Sequence, residues 1–331
     1  MSHPATATLV ATAFSTGAAG PLVRSWLHRR QSLDHPNERS SHSVPTPRGG
    51  GLACAVGALV GASVSRTRGS GATRAWIASS AALGAVGRID DLANLSATPR
   101  LGAQFAVGAI VGGVSGGALG AAFGAIATPA IVNAFNFMDG INGISGGTAL
   151  AWGVSVATEP SLDLGQKTQA MVTAGMGIGF LPYNVPKATM FLGDVGSYLL
   201  GAGIAVTVIQ SAFEGGQLAP RRLSGTLAPL APYLADTGTT ILKRAARGES
   251  LTVAHREHAY QRLVQAGEWP HWRVAAFASG AAGLCGLAGR SRYGAAAIVP
   301  VVAFYLFAPA LVNAVRKKKT QDEPARFGGR N

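Results

Sequence analysis

"AWIASSAALGAVGRIDDLANL", residues 75–95, runs through an uncharged apolar stretch and then sets Arg88, Asp90 and Asp91 at its end. The run is long enough for a helix that crosses, or nearly crosses, a bilayer. Two adjacent carboxylates at such an end each raise the cost of ionising the other. The chain holds only 15 acidic residues in 331, so placing two together here needs a chemical reason.

Outward from this stretch the same pattern repeats. Apolar segments fall at about 4–24, 49–65, 74–89, 101–117, 118–136, 143–158, 168–183, 194–213, 225–243, 271–288 and 293–315. Only 13% of residues are charged, where a soluble domain carries about a quarter, and 48% are hydrophobic. The 45 glycines fit membrane helices that pack closely. The predicted fold is therefore an all-α polytopic integral membrane protein with about ten to eleven transmembrane helices. It forms one multi-span domain over residues 1–315, followed by a basic tail, 316–331. Cys54 and Cys285 both sit in apolar runs and read as packing residues, with no disulfide framework.

The net charge of +13 brings no nucleic-acid motif with it; anionic lipid and phosphorylated substrates account for it better. No basic residue precedes the first apolar run, whereas Arg24, Arg29 and Arg30 follow it, which reads as a retained helix with its N-terminus outside. That orientation puts about 20 Lys and Arg inside and about 8, including Arg66, Arg68, Arg221 and Arg222, outside. It also puts the loops 28–48, 88–100, 135–142, 184–193 and 244–270 on the cytoplasmic side, and these carry nearly all the unusual polar residues.

Each loop has a bland reading and a chemical one. "SHSVPTPRGGGLA" (41–53), with His42 and Arg48, fits equally a rigid turn or a phosphate grip by Arg48. Asp90 and Asp91, with Arg100 nearby, could be a solvated helix cap; a divalent cation, which removes their mutual repulsion, explains them better. In "NAFNFMDGINGISGG" (133–147), Asn133, Asn136, Asp139 and Asn142 recur at i, i+3 spacing and are expected on one helix face. Amides alone would be helix–helix glue, but the Asp with its glycines favours a ligand site. "LPYNVPKATMFLGDVGSYLLG" (181–201) offers Asn184, Phe191, Asp194 and Ser197 at a helix start, where Asp194 is either an N-cap or part of an anion and metal site. "AHREHAYQRLVQAG" (254–267) is expected to set His255, His258 and Arg262 on one stripe of an amphipathic helix. The His-Glu-x-x-His zinc signature is absent, and phosphate binding is the better reading.

Taken together, these ordered segments, from about Pro45 to Gly267, resemble the polyprenyl-phosphate N-acetylhexosamine-1-phosphate transferase family, glycosyltransferase family 4. That family includes phospho-MurNAc-pentapeptide translocase and the transferases that start O-antigen and teichoic acid synthesis. "AHREHAYQRL" and "NFMDGING" look closer to the latter. The resemblance implies transfer of HexNAc-1-phosphate from a UDP-N-acetylhexosamine to undecaprenyl phosphate, releasing UMP, with Mg²⁺ or Mn²⁺, at the cytoplasmic face of the bacterial inner membrane. It is also compatible with a homodimer in the lipid bilayer.

By the same resemblance Asp90 positions or deprotonates the lipid phosphate, and Asp91 and Asp194 serve the metal. Asn184 and Phe191 would bond to and stack on uracil, and Asp139 would lie on the nucleotide side. His255 and His258 would approach the sugar diphosphate, with Arg48 and Arg100 near the phosphates. Asn142 stands where many members have Asp, which leaves an amide to pair with a uracil edge. An ion-coupled transporter is the rival from another class, but it calls for mid-membrane carboxylates and repeat symmetry between halves.

Overall fold

The computed structural model describes residues 3–36, 44–250, 255–267 and 269–322. His42 and residues 323–331 of the basic tail lie outside these. The described residues form twelve α-helices: α1 His3–Arg29, α2 Gly51–Val64, α3 Gly71–Ala93, α4 Ala97–Met138, α5 Ile144–Ala157, α6 Leu164–Asn184, α7 Gly193–Ala212, α8 Pro220–Leu227, α9 Ala231–Ala246, α10 Ala259–Gly267, α11 His271–Ala288 and α12 Gly294–Asp322. Two-residue strands make two short antiparallel pairs, Leu33–Asp34 with Thr46–Pro47 and Phe213–Glu214 with Gln217–Leu218.

By length and composition alone α1, α4, α7 and α12 can cross a membrane. The protein is thus an all-α, multi-pass membrane protein. α7 lies at the centre, buried along nearly its whole length, with α3 and α4 packed on it. The two fully buried indoles of this core are paired: that of Trp76 donates to the Gly203 carbonyl (2.8 Å) and that of Trp152 to the Thr226 carbonyl (2.9 Å). α1, α4 and α12 stand at the periphery, and their exposed side chains, such as Phe14, Val114 and Phe307, are apolar. That is the inversion expected where lipid replaces water.

Ten of the eleven expected spans coincide with helical rods. α4 supplies two, because Gly116 (φ −148°, ψ 27°) and Gly117 (φ 61°, ψ −144°) fold it into a hairpin with arms 97–115 and 118–138. The arms touch backbone to backbone: a methyl on Gly112 would overlap the Gly120 carbonyl oxygen. At Gly113 it would meet only the Ala121 methyl, at 3.7 Å. Gly112→Ala is therefore expected to destabilise the protein by about 1–3 kcal/mol, whereas Gly113→Ala stays within about 0.5 kcal/mol. Thermal unfolding of the two detergent-solubilised variants checks the contrast.

The ninth span is a correction. Residues 225–243 are not one rod: the chain passes from α8 through a 3₁₀ turn, Ala228–Leu230, into α9. Pro229 and Pro232 remove backbone donors there and interrupt the helix. α2 and α5 are also short, at 14 residues each, or about 21 Å against a hydrocarbon core of about 30 Å.

Chain direction alternates from rod to rod. The ends carrying Arg48, Asp91, Asn136, Asp194 and His258 consequently gather at one end of the bundle. The opposite end is closed by Arg222, which pairs with Asp163 and Glu214, each at 3.0 Å.

Candidate active site

Asp90 and Asp91 occupy successive positions of α3, about 100° apart around the helix axis. Their carboxylates therefore leave in different directions, and each meets its own cation. Asp91 faces the start of α7, which lacks a capping side chain of its own. Its two oxygens accept the N–H groups of Asp194 (2.9 Å) and Val195 (3.0 Å). A carboxylate there satisfies orphan donors and meets the positive end of the helix dipole. The contact requires close approach of α3 and α7, which Gly87 permits: a side chain at 87 would overlap the Asp194 carbonyl.

Arg48 bridges the two acidic motifs. Its Nε lies 3.0 Å from Asp91 Oδ1 and a terminal nitrogen 2.9 Å from Asp194 Oδ2. The fork is aimed by a bridge between Arg48 and Phe191, in which Phe191 donates to the Pro47 carbonyl (2.8 Å) and accepts from Gly50 (2.8 Å). Burial alone would weaken the Arg48 charge, but the facing Asp194 and Asp91 hold its pKa above the usual value. The other oxygen of Asp194 accepts from Asn136 Nδ2 (2.8 Å), which also donates to Ser197 Oγ (3.1 Å). Asp91 is sealed in, while Asp194 and Arg48 keep an open side.

Asp90 is buried, its oxygens taken by the Leu95 N–H (2.8 Å) and by Arg100 (2.8 Å). Arg100 in turn lines a cavity of about 670 Å³, so Asp90 acts on this space through Arg100. Arg100, Arg244, His255 and His258 give the cavity its basic side, and Leu101, Phe137, Leu234 and Ile241 its apolar walls.

The histidines depart from expectation. α10 begins at Ala259, so His255 and His258 precede the helix rather than share a stripe with Arg262. They are neighbours nonetheless, with ring centroids 4.9 Å apart. Burial, and then the nearby His258, lower the pKa of His255. Arg262 is exposed on α10 and does not line the cavity.

The amide stripe is likewise split. Asn133 and Asn136 lie on α4, which ends at Met138; Asp139 is its C-cap and Asn142 lies beyond. Asn133 donates to Gln104 (2.7 Å) and faces the cavity. Asn142 donates to the Pro186 carbonyl at 3.4 Å. Asn184 is buried and clasps two loops, accepting from the Gly143 N–H and donating to the Met190 carbonyl (3.1 Å). Phe191 is half-buried beside Asp194.

Asp139 sits past the end of the second arm of α4. Burial first, with Asp194 and Asp91 adding to it, raises its carboxyl pKa to about 7. A carboxyl whose pKa rises on folding binds protons more tightly in the folded state, so its contribution to stability is lost as pH rises towards 7. In the metal-free protein the wild type is expected to lose stability relative to Asp139→Asn as pH rises from about 4 to about 7. Thermal midpoints across that range check it; parallel curves would contradict it.

Besides Arg244 of the cavity, three residues that hold the site together escaped the sequence reading. Tyr260 donates to the Phe137 carbonyl (3.1 Å), Gln104 holds Asn133, and Asp236 in α9 holds His258. Only Asp236 carried a signal, as the sole acidic residue of an apolar segment.

Among the described residues no three His, Cys, Asp or Glu side chains form a ready metal cage. The donor with an open side at the centre is nonetheless the carboxylate oxygen of Asp194, with Asp91 and Ser197 sealed behind it. Such a site fits a hard cation that binds through one or two carboxylates plus substrate phosphates.

The model of the family described as "Glycosyl transferase family 4" matches residues 73–212, from α3 to the end of α7. The decaprenyl-phosphate N-acetylglucosaminephosphotransferase of Mycobacterium tuberculosis is 31% identical over 80% of this chain and 76% of its own length. The undecaprenyl-phosphate alpha-N-acetylglucosaminyl 1-phosphate transferase of Thermotoga maritima is 30% identical over 56% of this chain and 59% of its own. The phospho-N-acetylmuramoyl-pentapeptide-transferase of Moorella thermoacetica is 33% identical over half of each chain. With its paired aspartates at the end of α3 and Asp194 at the start of α7 inside the matched region, the chain belongs to glycosyl transferase family 4.

Proposed function

We propose that this chain transfers an N-acetylhexosamine-1-phosphate, most simply GlcNAc-1-phosphate, from a UDP-sugar to a polyprenyl phosphate such as undecaprenyl phosphate. The observation that carries the reading is that one end of a membrane bundle holds both the Arg48–Asp91–Asp194 cluster and a basic, apolar-walled cavity. In the net reaction an oxygen of the lipid phosphate bonds to the β-phosphorus of the donor, the bond from that phosphorus to UMP breaks, and UMP leaves. Relatives named for GlcNAc transfer support the sugar, and the mycobacterial one matches far more of this chain than the pentapeptide transferase does.

Phosphoryl transfer depends on positioning and on neutralising charge. The apolar walls suit the prenyl chain, while Arg100, fixed by Asp90, and Arg244 suit its phosphate. His255 and His258 suit the sugar phosphate that moves. Asp139, Asn142 and Phe191 would serve the nucleotide. Arg48 keeps Asp194 aligned and reaches towards phosphate oxygens on its open side. Asp194, with Asp91 holding its backbone, would carry Mg²⁺ or Mn²⁺, which when bound draws charge from the diphosphate. The excess of Lys and Arg on the loops at this end supports a site facing the cytoplasm of a bacterial inner membrane.

The test is UMP release by the purified full chain. UMP is expected only when UDP-GlcNAc, undecaprenyl phosphate and Mg²⁺ are all present. Release that ignores the lipid, or movement of UDP-sugar across proteoliposomes without UMP, would overturn the reading.

A further inference from the structure

Asp236 stands in α9, away from the Arg48–Asp194 centre, and only 1% of its surface is exposed. A carboxylate at such a position is costly unless its oxygens are fully engaged. Here the Ala259 N–H reaches both oxygens at 3.0 Å, Tyr305 of α12 donates to Oδ2 at 3.1 Å, and Thr240 approaches Oδ1 at 3.4 Å. The remaining partner is His258, whose Nδ1 lies 3.2 Å from Oδ1. Amide and hydroxyl donors converge on this group, so its oxygens act as acceptors and Nδ1 of His258 supplies the proton.

That assignment has a consequence for the cavity. With Nδ1 committed to Asp236, Nε2 is the nitrogen His258 offers to the space it lines with Arg100 and Arg244. The ring is clamped further by Tyr260, stacked at 15° with centroids 5.8 Å apart. We propose that Asp236 is a positioning residue for the transfer reaction: it holds the Nδ1 proton and ring direction of His258, so that Nε2, carrying a proton of its own, meets a phosphate oxygen of the transferred sugar. The proposal rests on the reading of the cavity given above. It also gives α12, outside the matched family region, a part in the site, because Tyr305 holds the second oxygen of Asp236.

A plain structural role is the competing account, since Asp236 also caps the start of α10. A double-mutant cycle on the full chain, read as UMP release, separates the two. Asp236→Asn keeps a capping oxygen but turns an amide donor towards His258 or Tyr305. It is expected to lower kcat by about 10–100-fold with KM for UDP-GlcNAc little changed. In a His258→Ala background the same substitution is expected to cost no more than about twofold, because no ring remains to orient. Equal losses in both backgrounds would overturn the proposal, and so would a fully active His258→Ala. A wild type that releases no UMP would instead overturn the functional reading itself.

If Asp236→Asn does not fold, ¹⁵N-histidine spectra of the wild type decide the matter, with His258→Ala used for assignment. A His258 that carries a proton on Nδ1 is expected; one whose Nδ1 is unprotonated overturns the proposal.

Discussion

Asp194→Asn is expected to lower kcat by about 100- to 1,000-fold while the protein still inserts and unfolds near the wild-type temperature. The amide keeps the shape of the carboxylate but loses its charge. It also turns a donor towards either Arg48 or Asn136, both of which already donate to this group at 2.9 and 2.8 Å. Stability is spared because Asp91, and not Asp194, holds the start of α7. The loss should therefore appear in turnover and in the apparent affinity for Mg²⁺. Steady-state UMP release over a Mg²⁺ titration, beside a thermal melt, checks both. An unchanged rate would remove Asp194 from the chemistry.

Arg48→Lys carries the second large effect. A guanidinium spans Asp91 and Asp194 at 3.0 and 2.9 Å with two nitrogens of one rigid plane. An ammonium on a flexible stem is a point charge that engages one carboxylate well at a time. Losing one charged hydrogen bond costs about 1.5–3 kcal/mol, a fall of roughly 10- to 150-fold in kcat/KM. A matched control lies at the far end of the bundle, where Arg222 joins Asp163 and Glu214 by the same chemistry. Arg222→Lys is expected to lower the thermal midpoint and leave kcat unchanged. If both lysine variants lose only stability, Arg48 is a brace and not part of the site.

The spans could be read from the sequence because each apolar run maps onto one rod, and alternation of direction then sorted the loops onto one end. The ninth run could not, because Pro229 and Pro232 break a segment whose hydropathy is continuous. The members of the site were legible as residue types in ordered motifs. Their partners were not, since pairings such as Arg48 with Asp194 join positions 146 residues apart. The paired aspartates illustrate the gain. As neighbours in sequence they repel, but the 100° step between successive helix positions sends Asp91 to Arg48 and α7, and Asp90 to Arg100 and the cavity. The histidine stripe failed for a local reason, as α10 starts only at Ala259, where Asp236 takes the first N–H. Asn184 shows the same limit, for its amide clasps Gly143 and Met190 within the protein.

In the proposed reaction the phosphate moves together with the sugar. UDP-GlcNAc labelled with ³²P at the β-phosphate, given to the purified chain with undecaprenyl phosphate and Mg²⁺, tests it directly. The label is expected to enter the lipid fraction in step with unlabelled UMP. Label retained on UDP while the sugar alone reaches the lipid would contradict it.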